Sequence, residues 1–398
     1  MTPRSSQAAL WIGALTRRKA ARFSALFFLA AVPQTIQLTV VPLEAFRVLG
    51  SARAVSVLYL AVSFAGLAGR LGIPWLIRLV RRRWVFSLGT LSYATAAVLL
   101  SSETPPGLAI GIALNVFGAA CLEITTNLYV LDHIPRHELS RFEPTRIFVT
   151  AAPWTIGPWL GVYLQQTLAP AAPFVIAASG ALALLGLFWS LRLAENTVLQ
   201  GMRRPPPNPL RYLRRFFRQP RLRLAWTLAA GRASWWSMFF IYAPIFAVTA
   251  GLGAETGAAI VSIGTALMWS VPVWGWLGRR YGLRRLLFAG YMATGALSVI
   301  AALAVSNPWV GAATLLVAAL AAETIDGAGN LLFLRAVHPY ERSEMTTVFV
   351  SYRDIAQLGP PAVFSVLLSL FSLSSVFMAG GVMMLWMTIF TRHIPRRL

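Results

Sequence analysis

Two ten-residue stretches decide how this chain is read: Pro74-Trp75-Leu76-Ile77-Arg78-Leu79-Val80-Arg81-Arg82-Arg83 and Gly275-Trp276-Leu277-Gly278-Arg279-Arg280-Tyr281-Gly282-Leu283-Arg284. They lie 201 residues apart, share a Trp-Leu pair and two arginines in register, and each follows a long apolar run. Working outward, an offset of 201–203 lays Val41-Pro42-Leu43 on Ala243-Pro244-Ile245. The same offset lays Glu123-Ile124-Thr125-Thr126-Asn127 on Asp326-Gly327-Ala328-Gly329-Asn330, and Gly157-Pro158 on Gly359-Pro360. The chain is therefore built from two homologous halves, an arrangement that in membrane proteins places a binding site between repeats near the bilayer midplane.

The apolar runs set the fold class. A bilayer-spanning helix needs about 20 mainly apolar residues. Twelve such stretches lie near 23–46, 53–73, 84–102, 107–131, 146–168 and 171–192, then near 223–249, 256–278, 284–305, 309–334, 346–370 and 373–391. The run that begins at 23 continues to Phe46, too long for the apolar core of a cleaved signal peptide, and is read as a retained helix. The expected fold is an all-α membrane protein of twelve transmembrane helices in two pseudo-symmetric six-helix bundles. Its expected parts are a segment 1–22, a bundle 23–192, a linker 193–222 with an amphipathic helix, a bundle 223–391 and a tail 392–398.

Composition agrees: 57% of the 398 residues are hydrophobic and 12% charged, where a soluble chain carries about 25% charged residues. The single cysteine, Cys121, excludes a disulfide within the chain. No Cys/His spacing suggests a metal, and no cofactor is implied. No Gly-x-x-x-x-Gly-Lys-[Ser/Thr] loop is present for ATP-driven pumping, and no loop carries a Ser/His/Asp or His/Glu motif. An enzyme is not expected.

The net charge of +22 invites a nucleic-acid reading, but the bases are spread over every second loop. Thirty lie in the termini and the loops after spans 2, 4, 6, 8 and 10, two (Arg47, Arg53) on the opposite side, and three (Arg70, Arg232, Arg353) within spans. Basic loops stay cytoplasmic, so both termini are expected inside, in a bacterial-type cytoplasmic membrane. In the linker, Asn208 and Pro209 mark a helix start. Leu210, Leu213 and Phe217 then line one face and Arg211, Arg214, Arg215 and Arg218 the other, the pattern of a helix on anionic lipid.

At these residues the chain resembles the major facilitator superfamily of secondary transporters. That family's loop signature, Gly-x-x-x-Asp-Arg-x-Gly-x-Arg, is matched through Gly275, Arg280, Gly282 and Arg284, and more weakly through Arg83 in the first copy. Arg78 and Arg279 stand where the family has its Asp, so another acid must partner the arginines of these gating loops. Gly157-Pro158-Trp159-Leu160-Gly161 in span 5 looks like the core of the motif typical of antiporter members. The resemblance also implies a cavity lined from spans 1, 4, 7 and 10.

Charged residues inside spans need a partner or a cavity. Residues four apart share a helix face, which groups Glu123 with Asn127 and Asp326 with Asn330. The repeat makes these two faces equivalent. Glu323 and Asp326, three apart, are neighbours; two carboxyls that close titrate as a pair, which suits proton coupling. Each acid has the alternative of a packing anchor held by an Arg or Thr. Arg232 has Trp235 and Trp236 at the spacing for cation–π contact and otherwise balances Asp326 or an anionic substrate. Arg353 and Asp354 are consecutive and diverge. Gln34 and Gln37, between Pro33 and Pro42, are candidate substrate contacts or interhelical hydrogen bonds. Pro42 and Pro244 are expected to break or bend spans 1 and 7.

The expected function is alternating-access transport of a small organic solute, proton-coupled and directed outward. The alternatives are an importer or facilitator of the same fold, or a transport-inactive scaffold or receptor. The expected partners are the solute, protons and anionic lipids, with no nucleic acid and with the chain acting as a monomer.

Overall fold

Helix starts follow the prolines. Pro105, Pro220 and Pro308 open helices at a position where a missing N–H costs nothing. Thr104 caps the first of these, accepting a hydrogen bond from the Gly107 amide. The computed structural model describes residues 3–134, 136–191, 209–304, 306–328, 330–338 and 341–394. The first half carries α1 (Pro3–Leu49), α2 (Ala52–Leu79), α3 (Arg82–Leu100), α4 (Pro105–His133), α5 (Arg136–Thr167) and α6 (Ala172–Ser190). The second half carries α7 (Pro209–Arg218), α8 (Pro220–Thr249), α9 (Ala254–Ala266), α10 (Val271–Tyr281), α11 (Leu283–Leu303), α12 (Pro308–Ala328), α13 (Leu331–Ala336), α14 (Arg342–Phe349), α15 (Tyr352–Leu370) and α16 (Ser374–Thr391).

The fold is all-α. Ten candidate membrane spans are long and apolar enough to cross a bilayer. The two further long helices are α8 and α15, which carry Arg232 and the Arg353–Asp354 pair; with them the chain has its twelve transmembrane elements.

By contacts the chain groups into two compact units, Met1–Val41 with Ala65–Met202, and Pro42–Phe64 with Arg203–Leu398. The division therefore does not fall only at the central linker: the far end of α1 and the first half of α2 group with the second half. There the Ser56 and Tyr242 hydroxyls are 2.6 Å apart, and Ser63 donates to the Gln357 carbonyl at 3.0 Å.

In the first unit α3 packs along α4 and α6. Close approach depends on Gly89, where a Cβ would sit 2.6 Å from that of Cys121. Phe86 and Phe188 stack at 3.9 Å, and Tyr93 and Tyr129 join the same core. The second unit repeats the device: α11 packs along α12 and α16, and the missing Cβ of Gly290 faces Thr324 and Ile325. At the repeat offsets, Gly290 corresponds to Gly89 and Thr324 to Cys121, so duplication preserved this contact as well as the sequence. Small residues let helices approach where lipid offers no hydrophobic drive between them.

Several expectations are corrected. Helix α1 runs unbroken from Pro3, so the chain enters span 1 already helical, and the candidate span itself begins at Ala21. Pro42 and Pro244 do not break their helices: α1 continues to Leu49 and α8 to Thr249. Neighbouring helices re-satisfy the backbone groups a buried proline frees. Span 8 is interrupted by a 3₁₀ turn, Leu267–Ser270, just before Pro272. Along span 10 the described helices are α12, which reaches Ala328, and α13, from Leu331, with Asn330 at the N-cap position of α13. The matching first-half helix α4 runs on to His133.

In the linker, Asn208 and the residues from 192 onward lie outside the described residues, as do 395–398 of the tail. The described helix α7 also turns a residue outside the expected apolar stripe toward the protein. Phe216 is fully buried, whereas Leu213 is 39% exposed. Phe216 lies between Leu213 and Phe217 and turns toward the protein because α7 docks on α14. Arg215 pairs there with Glu341, and Phe217 meets Trp226 edge-on at 5.3 Å.

Candidate functional site: an ion pair in each unit

In the second unit α8 and α12 bring Arg232 and Asp326 together at 3.1 Å. The Trp236 indole N–H donates to the other Asp326 oxygen at 2.8 Å. The Tyr352 hydroxyl, at the start of α15, accepts long hydrogen bonds from Arg232 at 3.5 Å and from Arg353 at 3.4 Å. Arg232 thus serves Asp326 rather than an aromatic face. Pairing with Asp326 is one of the roles the sequence left to Arg232, and the indoles use their N–H groups instead of their faces, since buried Trp N–H groups seek acceptors: Trp235, fully buried, donates to Ser298 at 2.9 Å.

Glu323, one turn back along α12, is 5% exposed and makes no ion pair among the described residues. Of the two neighbouring acids, then, only Asp326 has taken the cation. Asn330 sits beyond the end of α12 as the N-terminal cap position of α13. It lines a small cavity with Arg232, Tyr291, Leu287 and Phe333. Asp354 lies in the first turn of α15, where a carboxylate complements the helix N-terminus.

In the first unit Glu123 faces Arg70 of α2 at 3.7 Å, with side chains 43% and 23% exposed. Glu123 and Asn127 lie one turn apart on an exposed face of α4. Gln37 is buried and accepts a 2.7 Å hydrogen bond from Asn115 of α4. Its own Nε2 finds no acceptor among the described residues, a donor left for water or solute. Gln34, three residues earlier, is exposed.

The span 5 motif has a direct packing reason. Gly157 abuts Thr35 of α1, and Gly161 lies so close to the Ile36 carbonyl that any Cβ would collide with it. Pro158 between them is buried. At the basic loops Gly282 has φ +92°, a left-handed conformation that favours glycine. Arg280 packs over the Trp276 ring at 5.3 Å and Arg83 over Trp84 at 5.9 Å, while Gly275 lies 3.7 Å from the Gly327 carbonyl, measured from where its Cβ would be. Arg284 is half-buried, and the exposed Arg78 and Arg279 make no ion pair among the described residues. Asp132 on α4 pairs with Arg82, the neighbour of these gating positions at the start of α3.

Sequence reading missed four participants. Arg70 was counted as a base within a span but not matched to Glu123, although each half holds an acid at the same repeat position that needs one. Trp236 and Tyr352 hold the Arg232–Asp326 pair by polar edges that aromatic residues do not advertise. Glu44 is buried near the end of α1 and pairs with Arg47 one turn on; its position at a span end disguised it.

Solved structures of membrane transporters share this architecture. A nucleoside transporter, NupG, matches with TM-score 0.74 at 14% identity over 94% of this chain and 98% of that one. A peptide transporter, POT, matches with TM-score 0.73 at 14% identity over 96% and 94%. A D-xylose-proton symporter matches with TM-score 0.70 at 14% identity over 96% and 98%. At such identities the likeness is one of fold. No curated protein matches the chain. The model of the Major Facilitator Superfamily matches residues 23–360, and the chain belongs to that superfamily of secondary transporters.

Proposed function

We propose that this chain is a proton-coupled carrier of a small organic solute, working by alternating access and exporting its substrate. The observation that carries the reading is the unequal pair on α12: Asp326 is held by Arg232 and Trp236, while Glu323, three residues away, is buried without an ion pair. Burying an unpaired carboxylate is costly, whereas its neutral acid is tolerated. A proton moving on and off this pair changes the charge beside Arg232 and thereby what α8, α12 and α15 exchange with it. Proton exchange is in this way tied to rearrangement of the helices that hold the site.

Gln37, with its spare donor, Asn127 and Asn330 supply neutral polar contacts for solute. Outward direction rests on the resemblance of Gly157-Pro158-Trp159-Leu160-Gly161 to the antiporter motif, whose close seat on α1 is a structural counterpart. The basic loops support a cytoplasmic position for both termini, in a bacterial-type inner membrane. Uptake is the second reading, favoured by the likeness to a solved D-xylose-proton symporter.

Reconstituted vesicles with a pH-sensitive dye inside test the proposal. Adding a substrate found by thermal-shift screening should move protons, and Glu323→Gln with Asp326→Asn should abolish that movement while solute still binds. Substrate-driven proton flux that survives the double substitution ends this assignment. The sign of the flux relative to solute separates export from uptake.

A further inference from the structure

A basic trough in the second unit is not used by the transport reading. Arg218 at the end of α7, Gln219, Pro220 and Arg221 at the start of α8, and Arg335 and His338 at and after the end of α13 line a cavity of about 700 Å³. An adjoining hollow, lined by Arg214, Arg215, Arg218 and Gln219, shares two of these residues and extends the same surface. Among the described residues no acid lines either hollow. The neighbouring carboxylate, Glu341, is buried and engaged by Arg215. Arg214, Arg218 and Arg221 make no ion pair among the described residues, and Arg218, Arg221, Arg335 and His338 are exposed.

These guanidinium groups are presented by docked structure. Phe216 is fully buried, Phe217 packs on Trp226, and the Trp226 indole donates to Ser351 at 3.2 Å. α7 is thereby fixed to the start of α8 and to the α14–α15 junction. The backbone that carries these arginines is therefore already ordered before an anion arrives. Concentrating like charges in one concavity raises the potential that draws in an anion.

The repeat sharpens the point. Asp132 closes the α3–α4 corner of the first unit through Arg82. At the repeat offsets, the second half has Arg335 where Asp132 stands and Leu283 where Arg82 stands. The corner that is neutralised internally in one half carries an added positive charge in the other.

We infer that this trough is a binding site for a phosphate group. Arginine forks match phosphate oxygens in pairs, and several bases converge on one hollow. The site lies where the seventh span begins and the tenth ends, and Leu334, 44% exposed, gives the rim an apolar edge. The phosphate has two possible sources, the head group of an anionic phospholipid and a free phosphate in solution.

The test compares the full-length protein with Arg218→Gln/Arg221→Gln/Arg335→Gln and with a charge-matched control, Arg22→Gln/Arg81→Gln/Arg285→Gln. Thermal unfolding is followed in nanodiscs of phosphatidylcholine alone, in nanodiscs with increasing phosphatidylglycerol, and in phosphatidylcholine nanodiscs with inorganic phosphate or pyrophosphate. The wild type and the control should be stabilised by a phosphate-bearing addition. The trough variant, with an unchanged helical spectrum and an unchanged Tm in phosphatidylcholine, should need on the order of tenfold more of it. Stabilisation by phosphatidylglycerol alone assigns the site to lipid, and by the soluble anions alone to a free phosphate.

Equal responses of the trough and control variants overturn the proposal, because they reduce the effect to overall charge. So does the absence of a response to any addition. If the triple variant is already unstable in phosphatidylcholine, Arg218→Gln alone is compared with Arg22→Gln by the same criteria.

Discussion

Glu123 and Asp326 hold the same place in the repeat, yet the two units enclose them differently. Asp326 meets Arg232 at 3.1 Å, takes a second hydrogen bond from Trp236, and lies beside the buried Glu323. Glu123 meets Arg70 at 3.7 Å with 43% of its side chain exposed. The bases also come from non-equivalent helices: α8 is the repeat partner of α1, not of α2. Duplication kept the carboxylate and left each half to find its own counter-charge. The halves also differ in glycine content, since the stretch around Asp326 holds Gly327 and Gly329 where the stretch Glu123–Asn127 holds none. These differences make the second unit the one to perturb first.

The largest expected effect separates the two acids. Asp326→Leu leaves Arg232, 11% exposed, without its carboxylate and should cost roughly 3 kcal/mol, because a buried charge has lost its partner. Glu123→Leu, at a looser and wetter pair, should cost less than about 1 kcal/mol. Unfolding in detergent, followed by helix content, measures both. Arg232→Met/Asp326→Leu should regain most of the lost stability, since an apolar pair of similar volume often replaces a buried ion pair without penalty, while proton-coupled transport stays absent. Equal losses at Asp326 and Glu123 break the comparison.

A second contrast lies between the matched glycine-proline steps. Gly161→Ala drives a methyl into the Ile36 carbonyl on α1 and should destabilise by about 1–3 kcal/mol, the usual range for overpacking. Gly359 belongs to the equivalent step on α15 but has nothing within 4 Å of its missing Cβ. Gly359→Ala should be neutral or stabilise by up to about 1 kcal/mol through helix propensity. The same unfolding assay reads both, and a Gly359→Ala protein as damaged as Gly161→Ala would show that the close seat of α5 on α1 is not what the motif provides.

Much of this was legible in the sequence, for physical reasons that also mark where reading stopped. A bilayer requires every span to announce itself by length and apolarity, and duplication allowed one half to check the other, so the all-α fold and Glu123, Asp326, Gly157 and Gly161 stood out. The pairing of Arg232 with Asp326 was among the readings of Arg232, but the counter-charge of Glu123 was not legible, because Arg70 and Glu123 are 53 residues apart and only helix packing decides which of several bases arrives. The Trp235 and Trp236 spacing was read as two π-faces when the polar edges decide the contacts. Phe216 was missed because an isolated stripe of 3 and 4 assumes a lipid surface, and α7 has a protein surface to dock on.

The smallest effect tests whether the first-half pair acts as a pair. In a double-mutant cycle of Arg70→Gln and Glu123→Gln, the coupling energy isolates their interaction from other contacts each side chain makes. At 3.7 Å, and with both groups partly exposed, it should fall near 0.5 kcal/mol and shrink as salt is raised, since solvent reaches both charges. The corresponding cycle for Arg82 and Asp132, whose carboxylate is 8% exposed, should give a larger and less salt-sensitive value. A coupling above about 2 kcal/mol for Arg70 and Glu123 would mean that this pair is sealed from solvent in the membrane. The two units would then differ in where the base comes from but not in how firmly the acid is held.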